Sequence, residues 1–268
     1  MTSKLVPPHP ESVMSIRQVT PNITTCSAPF YRFGRIKLSV KLQSGALAVF
    51  SPTALTPEVR STVESLGNKV SYIAALDFEH HIYLGDWAKA YPNAKLMGVE
   101  GLPEKREKNP ETKGNIFKYV WTNQNKDHLK VDEDFDKEFD YEYVGSHANK
   151  ELVFLHKPDR TLIEADMMFN LPAYEQHSKD KENAESGILT KLFTGFQNTK
   201  GTALWQKRFL WYVASSANRP DFNTSVHKIN GWNFDRIIPC HGDVIETGGK
   251  GIFQKLFAWH LQAGKKDS

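Results

Sequence analysis

Two apolar runs, residues 151–156 and 161–165, are joined by Lys157-Pro158-Asp159-Arg160, and this short link constrains the fold more than any other stretch of the chain. Proline and aspartate inside a four-residue connection suit a tight turn, so the runs read as antiparallel strands of one hairpin. A second pair stands earlier. Ile36, Leu38, Val40 and Leu42 alternate with polar residues, the period of a half-buried strand. Gln43-Ser44-Gly45 then turns the chain into a more fully apolar strand at 46–50.

The remaining patterning alternates strand with helix. Thr56-Pro57-Glu58 supplies an N-cap, a proline at the first helical position and an early acid, which predicts a helix to about Leu66, ended by Gly67-Asn68. Residues 70–76 read as a buried strand. Ile82, Leu84, Trp87, Ala88 and Tyr91 suit one helical face, and 95–99 a short strand. Residues 101–114 are charged and broken by proline and glycine, which predicts surface helix and loop. Phe135, Phe139, Tyr141 and Tyr143 fall mostly at even spacing, so 135–144 is expected as strand. Residues 172–190 are polar and irregular, a loop expected over a site. A helix at 203–217 follows, then one capped by Asp221 to about Asn230, a strand at 236–239 and a last helix over 252–263. The class is α/β, or α+β in some schemes, with layered sheets and helices. Residues 35–264 are expected as a single domain, with 1–34 an N-terminal extension packed on it.

Composition narrows the function classes. A net charge of +3 from 34 basic and 31 acidic residues gives no electrostatic case for a nucleic-acid partner. No apolar run near the N-terminus is long enough for a membrane span or a signal-peptide core. Two cysteines, Cys26 and Cys240, exclude a disulfide framework. The expectation is a cytoplasmic protein whose partner is a small molecule, neither nucleic acid nor membrane.

The chemistry-bearing residues cluster at strand ends. His80-His81 follow the strand 70–76, His147 precedes the strand at Glu151, Asp166 follows Ala165, and His241 follows Ile237-Ile238-Pro239. Imidazoles and carboxylates are the ligand types that suit Zn, Fe or Mn, and strand-end loops are where scaffolds hold them. Each has an ordinary reading as well. The histidine pair could cap the following helix, Asp77 and Glu79 could be turn acids, and Asp166 could be an N-cap. Cys240 reads as a small buried residue. Trp205, Trp211 and Tyr212 fall at helical spacing, which suits packing, and Gly248-Gly249-Lys250-Gly251 lacks the full phosphate-loop spacing.

The stretches Gly145-Ser146-His147-Ala148-Asn149, Leu162-Ile163-Glu164-Ala165-Asp166 and Pro239-Cys240-His241-Gly242 resemble the third, fourth and fifth motifs of the metallo-β-lactamase superfamily. The resemblance runs over roughly residues 35–260 and implies a four-layer αββα sandwich with a metal site between the sheet edges. The second motif, His-x-His-x-Asp-His, is altered. With its last histidine set on His81, Leu76 and Phe78 stand where two histidines belong and His80 where the aspartate belongs. The resemblance therefore implies one divalent metal, zinc first with iron or manganese as alternatives, drawn from His80, His81, His147, Asp166 and His241. Asp166, Glu79 or Asp77 would handle the proton of an attacking water. Two functions follow: a metallo-hydrolase acting through a metal-activated water on an ester, lactone, thioester or lactam bond, or a non-catalytic binding or scaffold protein with a decayed site.

Overall fold

A computed structural model of the chain describes residues 9–29, 35–179, 184 and 188–263. Its elements begin with α1 (Pro10–Val13) and the strands β1 (Ser15–Gln18), β2 (Ile23–Ala28), β3 (Arg35–Lys41) and β4 (Leu47–Phe50). Next come α2 (Pro57–Ser65), β5 (Val70–Ala74), α3 (Leu84–Ala90), β6 (Lys95–Val99), α4 (Leu102–Glu107) and β7 (Phe117–Trp121). The second half runs α5 (Glu133–Glu138), β8 (Phe139–Val144), β9 (Glu151–His156), β10 (Thr161–Ile163), α6 (Ile188–Phe196) and α7 (Leu204–Phe209). A π-helical turn, Leu210–Ala214, extends α7, and α8 (Arg219–Gly231), β11 (Arg236–Ile238), α9 (Gly249–Leu256) and α10 (Ala258–Ala263) complete the chain.

Strands β1 to β7 form one sheet in chain order, antiparallel as far as β4 and parallel from β4 to β7. The other sheet has the order β11-β10-β9-β8, with β10 and β11 parallel. Both expected hairpins are present, β3–β4 and β9–β10. The period of two on the second sheet makes it the inner wall of two cores at once. Leu152, Phe154, Ile163 and Ile238 join the cluster that includes Phe50 and Ile73 of the first sheet, and the Phe50 and Phe154 rings meet at 5.0 Å. Their neighbours Val153, Leu155, Leu162 and Ile237 face the other way, onto Phe222 and Val226 of α8 and Phe253 of α9. Val59 and Val63 of α2 and Trp87 of α3 pack on the first cluster. The result is the expected αββα layering.

Several local expectations are corrected. Residues 15–28, expected within an extension, form two strands of the first sheet; residues 1–8 and 30–34 lie outside the described residues. Residues 133–138 are helical, because the Asp132 side chain accepts the Phe135 amide and caps α5; only 139–144 is strand. β7 lies past the surface segment 101–114, where no strand was expected although Phe117, Tyr119 and Trp121 alternate at strand period. The cap of α8 is Asn218, which accepts from the Asp221 amide, with Arg219-Pro220 opening the helix. Of the expected loop 172–190, residues 188–190 begin α6, while 180–183 and 185–187 lie outside the described residues. Among the described residues no helix is long and apolar enough to cross a membrane.

Candidate metal centre

The chain leaves β5 through Ala75-Leu76 and turns on a wholly buried Asp77. Asp77 Oδ1 accepts the amides of Glu79 (2.8 Å) and His80 (2.6 Å), and its Oδ2 lies 2.7 Å from His80 Nδ1. A carboxylate at that nitrogen fixes the proton on Nδ1 and turns the Nε2 lone pair toward His241 and Asp166. The turn is pinned to the second sheet by two backbone bonds, Leu152 N–H to Leu76 O (2.6 Å) and Phe78 N–H to Asn149 O (2.9 Å).

Asp166 is placed by a different buried acid. Glu151, the first residue of β9, accepts the amides of Ala165 (2.7 Å) and Asp166 (2.9 Å), which draws the chain off the β10 ladder and aims Asp166 between the sheets. Asn149 Nδ2 donates to Asp166 Oδ2 at 2.6 Å. Asp166 Oδ1 is buried with no hydrogen-bond partner and lies 3.3 Å from His241 Nε2 and 4.0 Å from His80 Nε2. His241 follows β11, and its ring stacks on Phe169 (centroids 5.6 Å apart, planes at 15°). The turn after it requires glycine: Gly242 has φ +102°, and a Cβ there would stand 2.2 Å from Asn170 O.

The two Nε2 atoms of His80 and His241 are 3.2 Å apart, and with Asp166 the three side chains offer ligand atoms all within 4.8 Å of one another. Three loops from three strand ends thus converge on a group that could hold a metal ion. Two nitrogens, one carboxylate oxygen and a part-exposed side suit a cation that keeps an open position.

The other expected residues go elsewhere. His81 Nδ1 lies 2.9 Å from Arg106 Nη1, which also donates to the His81 carbonyl (2.7 Å). Burial pulls that guanidinium down to about 10, and His81 serves as one of its acceptors. His81 is therefore outside the triad. Glu79 is more than half exposed and bonds Lys105 Nζ at 2.8 Å, so its carboxylate faces away from the site. Asp77 is at the site, yet both its oxygens are taken. His147 is buried, accepts the Asn149 amide at Nδ1 (3.2 Å) and stacks on Phe222, outside the triad; burial holds its imidazole neutral by lowering its pKa.

Glu151, Asn149 and Phe169 escaped the sequence reading. The one available signal was an acid opening an otherwise apolar strand, Glu151-Leu152-Val153-Phe154-Leu155. Burial and the charges of Asp166 and Asp77 push the Glu151 carboxyl well up, and Glu164, also fully buried, is raised for the same kind of reason. Burial likewise pushes the Cys240 thiol up, which agrees with a small buried residue and not a thiolate ligand. Lys250 is engaged by the Trp232 and Asn230 carbonyls, so the glycine-rich segment holds no phosphate cradle.

The layering is that of a metallo-β-lactamase-type sandwich, and the solved structures that superpose on the chain bear out this fold. DIM-1 metallo-β-lactamase is 13% identical, with TM-score 0.56, covering 93% of this chain and 98% of that one. The metallo-β-lactamase of Hirschia baltica is 10% identical (TM-score 0.56; 92% and 97% covered). FIM-1 from Pseudomonas aeruginosa, in its mono-zinc form, is 9% identical (TM-score 0.54; 93% and 96% covered). At such identities the likeness is one of fold. No curated protein matches the chain in sequence. The chain belongs to the DUF4336 family, described as a domain of unknown function, whose profile matches residues 35–188.

Proposed function

We propose that the protein is a metal-dependent hydrolase with one divalent cation held by His80 Nε2, Asp166 Oδ1 and His241 Nε2, cleaving an ester, lactone, thioester or lactam bond of a small molecule in the cytoplasm. The observation that carries this reading is the convergence itself: three ligand atoms within 4.8 Å, one a buried carboxylate oxygen with no hydrogen-bond donor. Zinc is the first choice for two imidazoles and a carboxylate, with iron or manganese as alternatives. FIM-1, a fold relative, has a mono-zinc form.

A bound cation of this kind supplies Lewis acidity, acidifying water and polarising a carbonyl. The chain's own groups do the rest. Asp77 holds the His80 ring in the ligating tautomer, and Glu151 and Asn149 fix Asp166. Asp166 is the carboxylate placed to orient the attacking water, because Asp77 is fully occupied and Glu79 is bound to Lys105. With His80 in the triad, the altered second motif shifts by one residue: Ala75 and Asp77 then stand where its first two histidines belong. That leaves His147 without its partners and accounts for a single metal position.

The test is a hydrolysis screen of the full chain, loaded in turn with zinc, manganese and iron(II), against aryl esters, a lactone, an acyl thioester and a β-lactam. Turnover is expected on at least one class, and Asp166→Asn and His241→Ala should each lower kcat/KM by about 100-fold or more. Turnover that survives both substitutions contradicts the assignment. Metal bound with no turnover on any class leaves the non-catalytic binding protein.

A further inference from the structure

Helix α6 packs Phe193 against Phe169 yet leaves other apolar side chains in water. Its buried side chains include Thr190 and Thr194, whereas Ile188 is 86% exposed and Leu192 about half exposed. The helix formed by α7 and its π-helical turn repeats the anomaly. Gln206, Leu210 and Ala214, four residues apart, are buried, and the same helix exposes Leu204, Trp205, Tyr212 (66%) and Val213. The two helices adjoin, with the Phe196 and Trp205 rings 5.0 Å apart. Six large apolar side chains thus stand in water on neighbouring helices, and among the described residues only Ile116 and Tyr174 are exposed to that degree elsewhere. Such a concentration on one region marks an interaction surface.

Charge says what kind. Residues 186–220 contain Lys191, Lys200, Lys207, Arg208 and Arg219 and not one Asp or Glu. Lys191, Lys200 and Arg208 are exposed, and the Arg208 guanidinium lies 4.9 Å over the Trp205 ring. Exposed aliphatic tips, a tryptophan and a tyrosine among cations, with no acid within the stretch 186–220, are the chemistry of a surface that sits at lipid headgroups. We propose that the α6–α7 face docks on an anionic lipid bilayer, the apolar tips entering the headgroup boundary and the cations pairing with lipid phosphates. A second copy of the chain is the poorer occupant, because a two-fold contact would set Lys191, Lys200 and Arg208 against their own copies. The expectation of no membrane partner rested on the lack of a spanning segment, which a docking face does not need.

The experiment is flotation of the full chain with neutral phosphatidylcholine vesicles and with vesicles containing about 30% phosphatidylglycerol, at low and raised salt. The protein should float with the anionic vesicles, weakly with the neutral ones, and less at raised salt. Two exposed cations are worth roughly fivefold each, so K191E/R208E should cut the partition more than about tenfold. L192D/Y212D should cut it comparably by removing the inserting tips. No partition to anionic vesicles overturns the proposal, as does equal partition to both lipids or charge-reversed protein that binds as wild type. So does a dimer in solution that L192D/Y212D dissociates without altering flotation.

Discussion

Asp77 is the residue on which the site's orientation turns. Its two oxygens fix the backbone of the following turn and the Nδ1 proton of His80, so the ring presents Nε2 toward His241 and Asp166. Asp77→Asn keeps the size and loses the negative charge behind the imidazole. Outer partners of this kind are worth about 10- to 100-fold in metal affinity, so competition against a graded chelator should show a loss in that range with the fold intact. Unchanged affinity would mean that the Asp77–His80 bond does not support ligation. At this scale the sequence was legible only in part. The motifs around Asp166 and His241 put both just past strand ends, where the structure has them, but two adjacent histidines at 80 and 81 carry the same letter. What separates them is the distant Arg106, whose buried guanidinium takes His81. Long-range packing of that sort leaves no mark on local spacing.

Elements were legible where local chemistry decided them. The Thr56 cap of α2 and the turn between β9 and β10 are short-range features, and both formed as expected. β2 was not legible, because its six buried residues, Ile-Thr-Thr-Cys-Ser-Ala, include three hydroxyl side chains and show no apolar alternation. α5 was hidden for the opposite reason: aromatic residues at even spacing mimic a strand, and the Asp132 cap outweighs them. The packing of the elements makes its own predictions. Phe154 sits wholly buried between the sheets against Phe50 and Phe135, so Phe154→Ala should cost about 3–5 kcal/mol in denaturant unfolding. A loss below about 1 kcal/mol would contradict a close-packed inter-sheet core.

On α10, His260 is buried against Trp211, Phe222 and Phe257, with Ser215 Oγ at 3.2 Å. Burial, helped by Arg219, pulls its imidazole down to about 4 from an ordinary 6.5. The folded state therefore holds it neutral while the unfolded chain takes up a proton. Stability from this group is complete above pH 6.5 and falls as the pH drops toward 4, by on the order of 3 kcal/mol over the full interval. Urea unfolding across that range should show the decline in the wild type and a shallower one in His260→Gln. Identical slopes would mean that His260 titrates alike in both states.

For the whole molecule, the order of layers follows from the strands of the second sheet, which are apolar on both faces and so need a sheet on one side and helices on the other. That much could be read from runs such as Leu152-Val153-Phe154-Leu155, together with the two hairpins. The seven-strand extent of the first sheet could not, because β1 and β2 join through backbone pairing that polar side chains conceal. The architecture places the ends of β5, β10 and β11 at one edge, and the triad is a consequence of that arrangement. The most direct test is elemental analysis of the full chain after growth with zinc, iron and manganese in excess, alongside His80→Gln and Asp166→Asn. The account predicts about one equivalent of divalent metal in the wild type, removed by chelator and lost in both variants while circular dichroism stays native. A folded wild-type protein that stays metal-free after reconstitution, or variants that keep their metal, would contradict it.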